Sequence, residues 1–132
     1  MAEILISAED EAAIVTARGA VRELARSVGF SVVDQTRLAT AVSEIARNVV
    51  LYAKRGTIEF TVHRLSDDRR EIRVVVTDEG PGIDDLDRVL EGGYSTSGGF
   101  GRGIAGARAL VDEMRITTEL GRGSRVELRK WS

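Results

Sequence analysis

Three groups of residues have the types and the spacing for chemistry on a phosphorylated ligand. The first, Asp78-Glu-Gly-Pro-Gly82, holds the chain's single proline and directly follows the apolar run Ile72-Arg-Val-Val-Val-Thr77. Ile72, Val74 and Val76 share one face of a strand, and a period of two puts Asp78 on that face. A carboxylate ending a buried face is costly unless something pairs with it. The glycines after it stop the strand and let backbone approach whatever the carboxylate faces. The second group is Glu44 and Asn48. At four residues' separation they lie about 40° apart on a helix, on the flank of its apolar stripe. The third is Gly101-Arg-Gly-Ile-Ala-Gly106, a Gly-x-Gly-x-x-Gly run opening a helical pattern. There backbone N–H groups can crowd an anion, and the helix start adds partial positive charge.

Each group has an ordinary structural reading: a polar turn, two surface residues, a glycine-rich helix start. Taken together they agree on a task. A glutamate serves as general base, an asparagine oxygen holds Mg²⁺ that already sits on phosphates, and a buried carboxylate accepts from an exocyclic amine. Those are the parts needed to hold ATP and move its γ-phosphoryl.

Other nucleotide folds fit poorly. A glycine-rich loop precedes Gly101 where a dinucleotide-binding fold needs a strand, although Glu127 lies near the distance of its ribose-binding acid. No G-x-x-x-x-G-K-[ST] is present, and neither are the H-R-D and D-F-G signatures of eukaryotic-type protein kinases. The absence of cysteine excludes thiolate catalysis and a thiolate-bound zinc, and one histidine, His63, makes a histidine metal site or triad improbable. Lys and Arg number 19 against 21 Asp and Glu, so no basic excess points to nucleic acid or an anionic membrane. The N-terminal residues are acidic with a short apolar run, unlike a signal peptide, and nothing approaches the ~20 apolar residues of a membrane span. A cytoplasmic location is the expectation.

The elements that must position these groups are legible in the pattern. With 132 residues, 42% apolar and 30% charged, the chain suits one domain over residues 1–132 with one core. Residues 3–6 read as a strand. A helix capped by Ser7 or Asp10 follows, with Ala12, Val15, Ala20, Val21, Leu24 and Ala25 inward and an end at Gly29. After Ser31, the series Leu38, Ala41, Val42, Ile45, Val49, Tyr52 predicts an amphipathic helix closed by Gly56. Ile58, Phe60 and Val62 alternate with Glu59, Thr61 and His63, which puts His63 on a wet face. A polar hairpin over 66–70 leads to the strand ending at Asp78. Residues 83–90 suggest a short helix, and 92–100, with four glycines and no periodicity, a lid. The last helix carries Ile104, Ala107, Leu110, Val111 and Met114, and strands over 115–118 and 125–130 flank the turn at Gly121–Ser124. The order predicts an α+β two-layer sandwich: a mixed, mainly antiparallel sheet with helices on one face.

The series Glu44-x-x-x-Asn48, Asp78-x-Gly80-x-Gly82 and Gly101-x-Gly103-x-x-Gly106 resembles the N, G1 and G2 boxes of the GHKL (Bergerat-fold) ATPases, in the right order and with a lid in the right place. Within that superfamily, Ser43-Glu-Ile-Ala-Arg-Asn48 and Gly93-Tyr-Ser-Thr-Ser-Gly-Gly99 look most like the RsbT-type serine/threonine kinases of the bacterial stressosome. The resemblance implies ATP and Mg²⁺ as cofactors. It implies that Asp78 reads the adenine amino group and that Gly80 and Gly82 let the purine lie against backbone. Asn48 would coordinate Mg²⁺, and Glu44 would deprotonate the attacking hydroxyl. Gly101, Arg102, Gly103 and Gly106 would form the phosphate end, and Ser124 would reach the adenine through water. Ser95, Thr96 and Ser97 read as solubilising residues of the lid. The implied partner is a STAS-domain scaffold or antagonist protein, with a downstream phosphatase or other regulator activated afterwards. An anti-sigma factor that sequesters a sigma factor is the second class open at this point, and a detached histidine-kinase catalytic domain is the third.

Overall fold

The computed structural model describes residues 3–53, 55–78, 100–119 and 123–132. Five strands form one sheet: β1 (Glu3–Ser7), β2 (Gly56–Arg64), β3 (Arg70–Asp78), β4 (Glu113–Glu119) and β5 (Gly123–Trp131), in the order β1-β2-β3-β5-β4. All four pairings are antiparallel. The antiparallel component of the expected sheet therefore accounts for every described pairing. Among the described residues three helices, α1 (Glu11–Ser27), α2 (Val32–Asn48) and α3 (Phe100–Leu110), cover one face. The expected helix at 83–90 and the lid lie outside the described residues.

Alternation in the strands decides which face is covered. Ile58, Phe60, Ile72, Val74 and Leu128 are fully buried. The register sets Phe60 beside Val74 and Val74 beside Leu128, so the inward rows of three strands form one apolar floor. Burying each such side chain stabilises the fold by about 1.5–3 kcal/mol. α2 lies in the middle of the helical layer, packed against both α1 and α3. That position explains why Ala39 and Ala46 are buried along with Leu38, Ala41, Val42 and Ile45. Small side chains let the neighbouring helices close in on its flanks.

Local signals set the helix ends. Asp10, not Ser7, caps α1, its side chain accepting from Ala13 N at 3.1 Å, and Gly29 follows the helix with φ 89°. Ser31 caps α2 in the same way through Asp34 N. The core face of α1 is Ile14, Ala17, Val21, Leu24 and Ala25; Ala12 and Val15, expected inward, are exposed. Helical spacing from Val21 and Leu24 leads back to Ile14 and Ala17, and Val15 falls on the opposite side. Met114, expected in the last helix, lies in β4 and packs on the core from there.

Gly56 is also reassigned. It does not close α2; it is the first residue of β2, paired with Asp78. A Cβ there would meet the Thr77 carbonyl oxygen at 2.5 Å and Val49 Cγ1 at 2.8 Å. The position is glycine because another strand's backbone leaves no room. Gly56→Ala should destabilise the fold by about 1–3 kcal/mol in a denaturant titration, since backbone has to shift to admit the methyl group. An unchanged midpoint would show that this close approach is dispensable.

On the uncovered face, carboxylates sink between cross-strand neighbours. Glu71 is buried, hydrogen-bonded by Arg73 Nε and by Trp131 Nε1, the latter at 2.7 Å. Burial alone raises a carboxyl pKa. The hydrogen bonds from Arg73 and Trp131, with the charges of Arg73 and Arg129, outweigh that and hold Glu71 below the ordinary carboxylate value. A depressed folded-state pKa contributes stability above the unfolded value that is lost as pH falls through the folded one. Trp131→Phe removes a donor to the charged form, so its acid-unfolding midpoint should move toward higher pH. A midpoint equal to the wild type would remove Trp131 from this role. Glu127 lies between Arg125 and Arg129, with its oxygens 3.8 and 3.5 Å from their guanidinium nitrogens. His63 keeps to this wet face, its Nε2 2.9 Å from Thr61 Oγ1. No helix of the described residues is long and apolar enough to cross a membrane.

Candidate functional site

The last turn of α2 brings Glu44 and Asn48 to the same end of the molecule. α2 keeps regular geometry for 17 residues and then loosens into a π-helical turn over Val49–Ala53. Such turns are rare and recur at functional sites. Glu44 is about one-third exposed, with Oε1 3.4 Å from Arg47 Nη1. Asn48 is half-buried, and its Nδ2 is buried with no hydrogen-bond partner among the described residues. An unpartnered buried amide is costly, on the order of 1–3 kcal/mol, and is understandable where a polar ligand completes it.

The first turn of α3 closes over this pair. A Cβ on Gly103 would lie 3.2 Å from Glu44 Oε2, 3.4 Å from Asn48 Oδ1 and 3.5 Å from Asn48 Nδ2. Glycine at 103 therefore lets a helix start approach a carboxylate and an amide that sit one turn apart on another helix. The opening N–H groups of a helix have no intrahelical acceptors and carry its positive end. Carboxylate, amide and anion-seeking backbone thus converge within a few ångströms.

Asp78 stands at the end of β3, on the inward row as its period predicts. The register sets it beside Gly56 on one side and Ser124 on the other. Ser124 Oγ donates to Asp78 Oδ2 at 2.5 Å. A charge-assisted hydrogen bond of that kind fixes the carboxylate's orientation. Gly56 joins this end of the site to the other: a Cβ there would touch Asp78 Cβ at 3.4 Å as well as Val49, the neighbour of Asn48. Sequence pattern misses Gly56 as a site residue. The signal that finds it is an isolated glycine in a strand, which marks close backbone approach.

Of the expected site residues, Glu44, Asn48 and Gly103 come together, and Asp78 pairs with Ser124. Gly101 and Arg102 lie in the first turn of α3. Gly80 and Gly82 lie outside the described residues. Gly106 is exposed on α3, and a Cβ there would meet nothing within 4 Å among the described residues. The two helix glycines should therefore respond differently. Gly106→Ala should stabilise the protein by about 0.5–1 kcal/mol through helix propensity, with nucleotide affinity unchanged. Gly103→Ala should weaken Mg-ATP binding several-fold, because its methyl group presses Glu44 and Asn48 aside by a few tenths of an ångström. Equal responses in thermal melts and calorimetry would count against the asymmetry.

Residues 33–131 match the family model of the histidine kinase-, DNA gyrase B- and HSP90-like ATPases. The chain is 41% identical over 119 residues to the serine/threonine-protein kinase RsbT of Bacillus subtilis (strain 168), covering 89% of this chain and 88% of that protein. It is 25% identical over 118 residues to the anti-sigma F factor of Caldanaerobacter subterraneus subsp. tengcongensis, covering 87% and 82%. Its fold is similar to a histidine kinase domain from Erythrobacter litoralis EL346 blue-light activated histidine kinase, with TM-score 0.57 at 20% identity over 91% of this chain and 59% of that one. It is also similar to the mycobacterial sensor histidine kinase MprB, with TM-score 0.56 at 15% identity over 98% and 97%. On this sandwich, with its glycine-opened helix beside a carboxylate and an amide, the family match and the 41% identity agree: the chain belongs to the histidine kinase-, DNA gyrase B- and HSP90-like ATPase family and is a relative of RsbT.

Proposed function

We propose that this chain is an ATP-dependent serine/threonine protein kinase that phosphorylates a STAS-domain partner within a stress-signalling partner switch and then activates a downstream regulator. The observation that carries this reading is the seat at Gly103, where Glu44 and Asn48 meet the start of α3. The residues fit nucleotide and metal. Among the described residues the Asn48 Nδ2 donor has no acceptor, which suits a phosphate oxygen, and the amide's Oδ1 is the arm that suits a cation; Gly103 leaves a space that a side chain would fill, and the turn of α3 favours an anion.

In this reading Asp78 accepts from the adenine amino group, with Ser124 holding its carboxylate in place. Gly80 and Gly82 give the purine access to backbone. Gly101, Arg102 and Gly103 hold the phosphates. Asn48 would hold Mg²⁺ through its amide oxygen, and the ion would supply neutralisation of charge on the phosphates. Glu44 takes the proton from the attacking serine or threonine hydroxyl, a transfer within reach only of a carboxylate on the phosphate side of the site. The RsbT similarity supports the choice of hydroxyl acceptor.

Incubation with Mg-ATP and a STAS-domain protein tests the assignment directly. Phosphoserine or phosphothreonine on the partner, found by mass spectrometry, is the expected product, and its absence across candidate STAS-domain partners would count against a kinase of this type. The similarity to anti-sigma F factors supports a second reading, sequestration of a sigma factor with catalysis secondary. Co-purification of a sigma factor in place of STAS-domain proteins would favour it.

A further inference from the structure

We infer that Arg47 is a positioning residue that turns one oxygen of Glu44 toward the acceptor hydroxyl; the inference rests on Glu44 being the base. The two oxygens of Glu44 have different surroundings. Oε1 is 3.4 Å from Arg47 Nη1, and Arg47 is its sole hydrogen-bond or ion-pair partner among the described residues. Oε2 is the atom nearest the space at Gly103, 3.2 Å from where a Cβ would stand, with Asn48 Oδ1 next. A carboxylate is planar, so anchoring one oxygen sets the direction of the other. The terminal torsion of glutamate is otherwise broad and roughly two-fold. Arg47 thus holds Oε1 on the solvent side and leaves Oε2 aimed at the nucleotide side of the site.

The exposure of the pair gives this role a signature. With Arg47 and Glu44 side chains 51% and 33% exposed, the contact adds little to stability. Its loss should appear in the reaction rate and not in the unfolding midpoint. Arg47→Ala should lower kcat for phosphotransfer from saturating Mg-ATP to a STAS-domain acceptor roughly two- to fivefold, the bias that the modest free energy of an exposed ion pair can impose on the orientation of one carboxylate. The Kd for Mg-ATP and the thermal midpoint should stay at wild-type values. Arg47→Lys keeps a cation on the same turn and should recover most of the rate.

Two further measurements separate this inference from the reading beneath it. In a Glu44→Gln background, Arg47→Ala should cost nothing more, because the group it positions is already disabled. A crystal structure of the Arg47→Ala variant should show Glu44 Oε2 turned away from Gly103. An unchanged Glu44 carboxylate in that structure, or full kcat in Arg47→Ala while Glu44→Gln is inactive, would overturn the inference alone. An equal loss in both backgrounds would mean that Arg47 acts directly on nucleotide or partner, which also overturns it. Wild-type transfer by Glu44→Gln would remove Glu44 as the base and the inference with it.

Discussion

Replacing Glu44 with glutamine should lower phosphotransfer by about 10²–10⁴-fold, the range supplied by a positioned general base. Glutamine is nearly isosteric and its amide oxygen can still accept from Arg47, so the last turn of α2 should keep its shape. What is lost is the ability to take a proton. Mg-ATP affinity should change little, because the nucleotide contacts assigned to Asp78, Asn48 and the start of α3 are untouched. Removing a negative charge 3.2 Å from the Gly103 position would, if anything, ease the approach of an anion. Quantified transfer to a STAS-domain acceptor, with calorimetry of Mg-ATP binding on the same preparations, checks both halves. Equal transfer by wild type and variant would leave Glu44 as a phosphate-side spectator.

Much of the fold and of this site was legible in the sequence because the signals concerned are local. A capping oxygen at Ser31 needs only the amide of Asp34, three residues on. The alternation Ile72, Val74, Val76 runs straight to Asp78, and the structure keeps all four on one face. The one-turn separation of Glu44 and Asn48 follows from helix geometry alone. The features that pattern misses depend on what another element brings. Gly56 looked like a helix terminator because it follows an apolar helical run; its actual reason is the Thr77 carbonyl of a neighbouring strand. The π-helical turn at Val49–Ala53 leaves no trace in apolar spacing, since one added residue per turn preserves an inward Val49. Glu71 and Glu127 alternate onto the uncovered face and are buried nevertheless. Arginines on the same and adjacent strands, with Trp131 above Glu71, supply that cover, and strand order is needed to know who the neighbours are.

The same dependence on strand order shapes what Asp78→Asn should do. β3 and β5 are separated in sequence by the glycine-rich segment and α3, yet they pair so that Ser124 meets Asp78. In the wild type the serine hydroxyl donates to the carboxylate at 2.5 Å. Asparagine offers both an oxygen and an N–H₂, and a hydroxyl can serve as donor or acceptor, so the pair survives the substitution by reorienting. Stability should therefore move by under about 1 kcal/mol, the scale of one exchanged neutral hydrogen bond. Binding should not be spared. The adenine amine would lose a charged acceptor, and the replacement can present a donor toward another donor. The expected loss in ATP affinity is on the order of 1.5–3 kcal/mol, roughly ten- to 150-fold. GTP provides the discriminating comparison, because guanine carries an acceptor where adenine carries its amine. Wild-type protein should prefer ATP strongly, and Asp78→Asn should narrow that preference by weakening ATP and improving GTP. Calorimetry with both nucleotides reads the ratio directly, and an unchanged ratio would mean that Asp78 supports the site without reading the base.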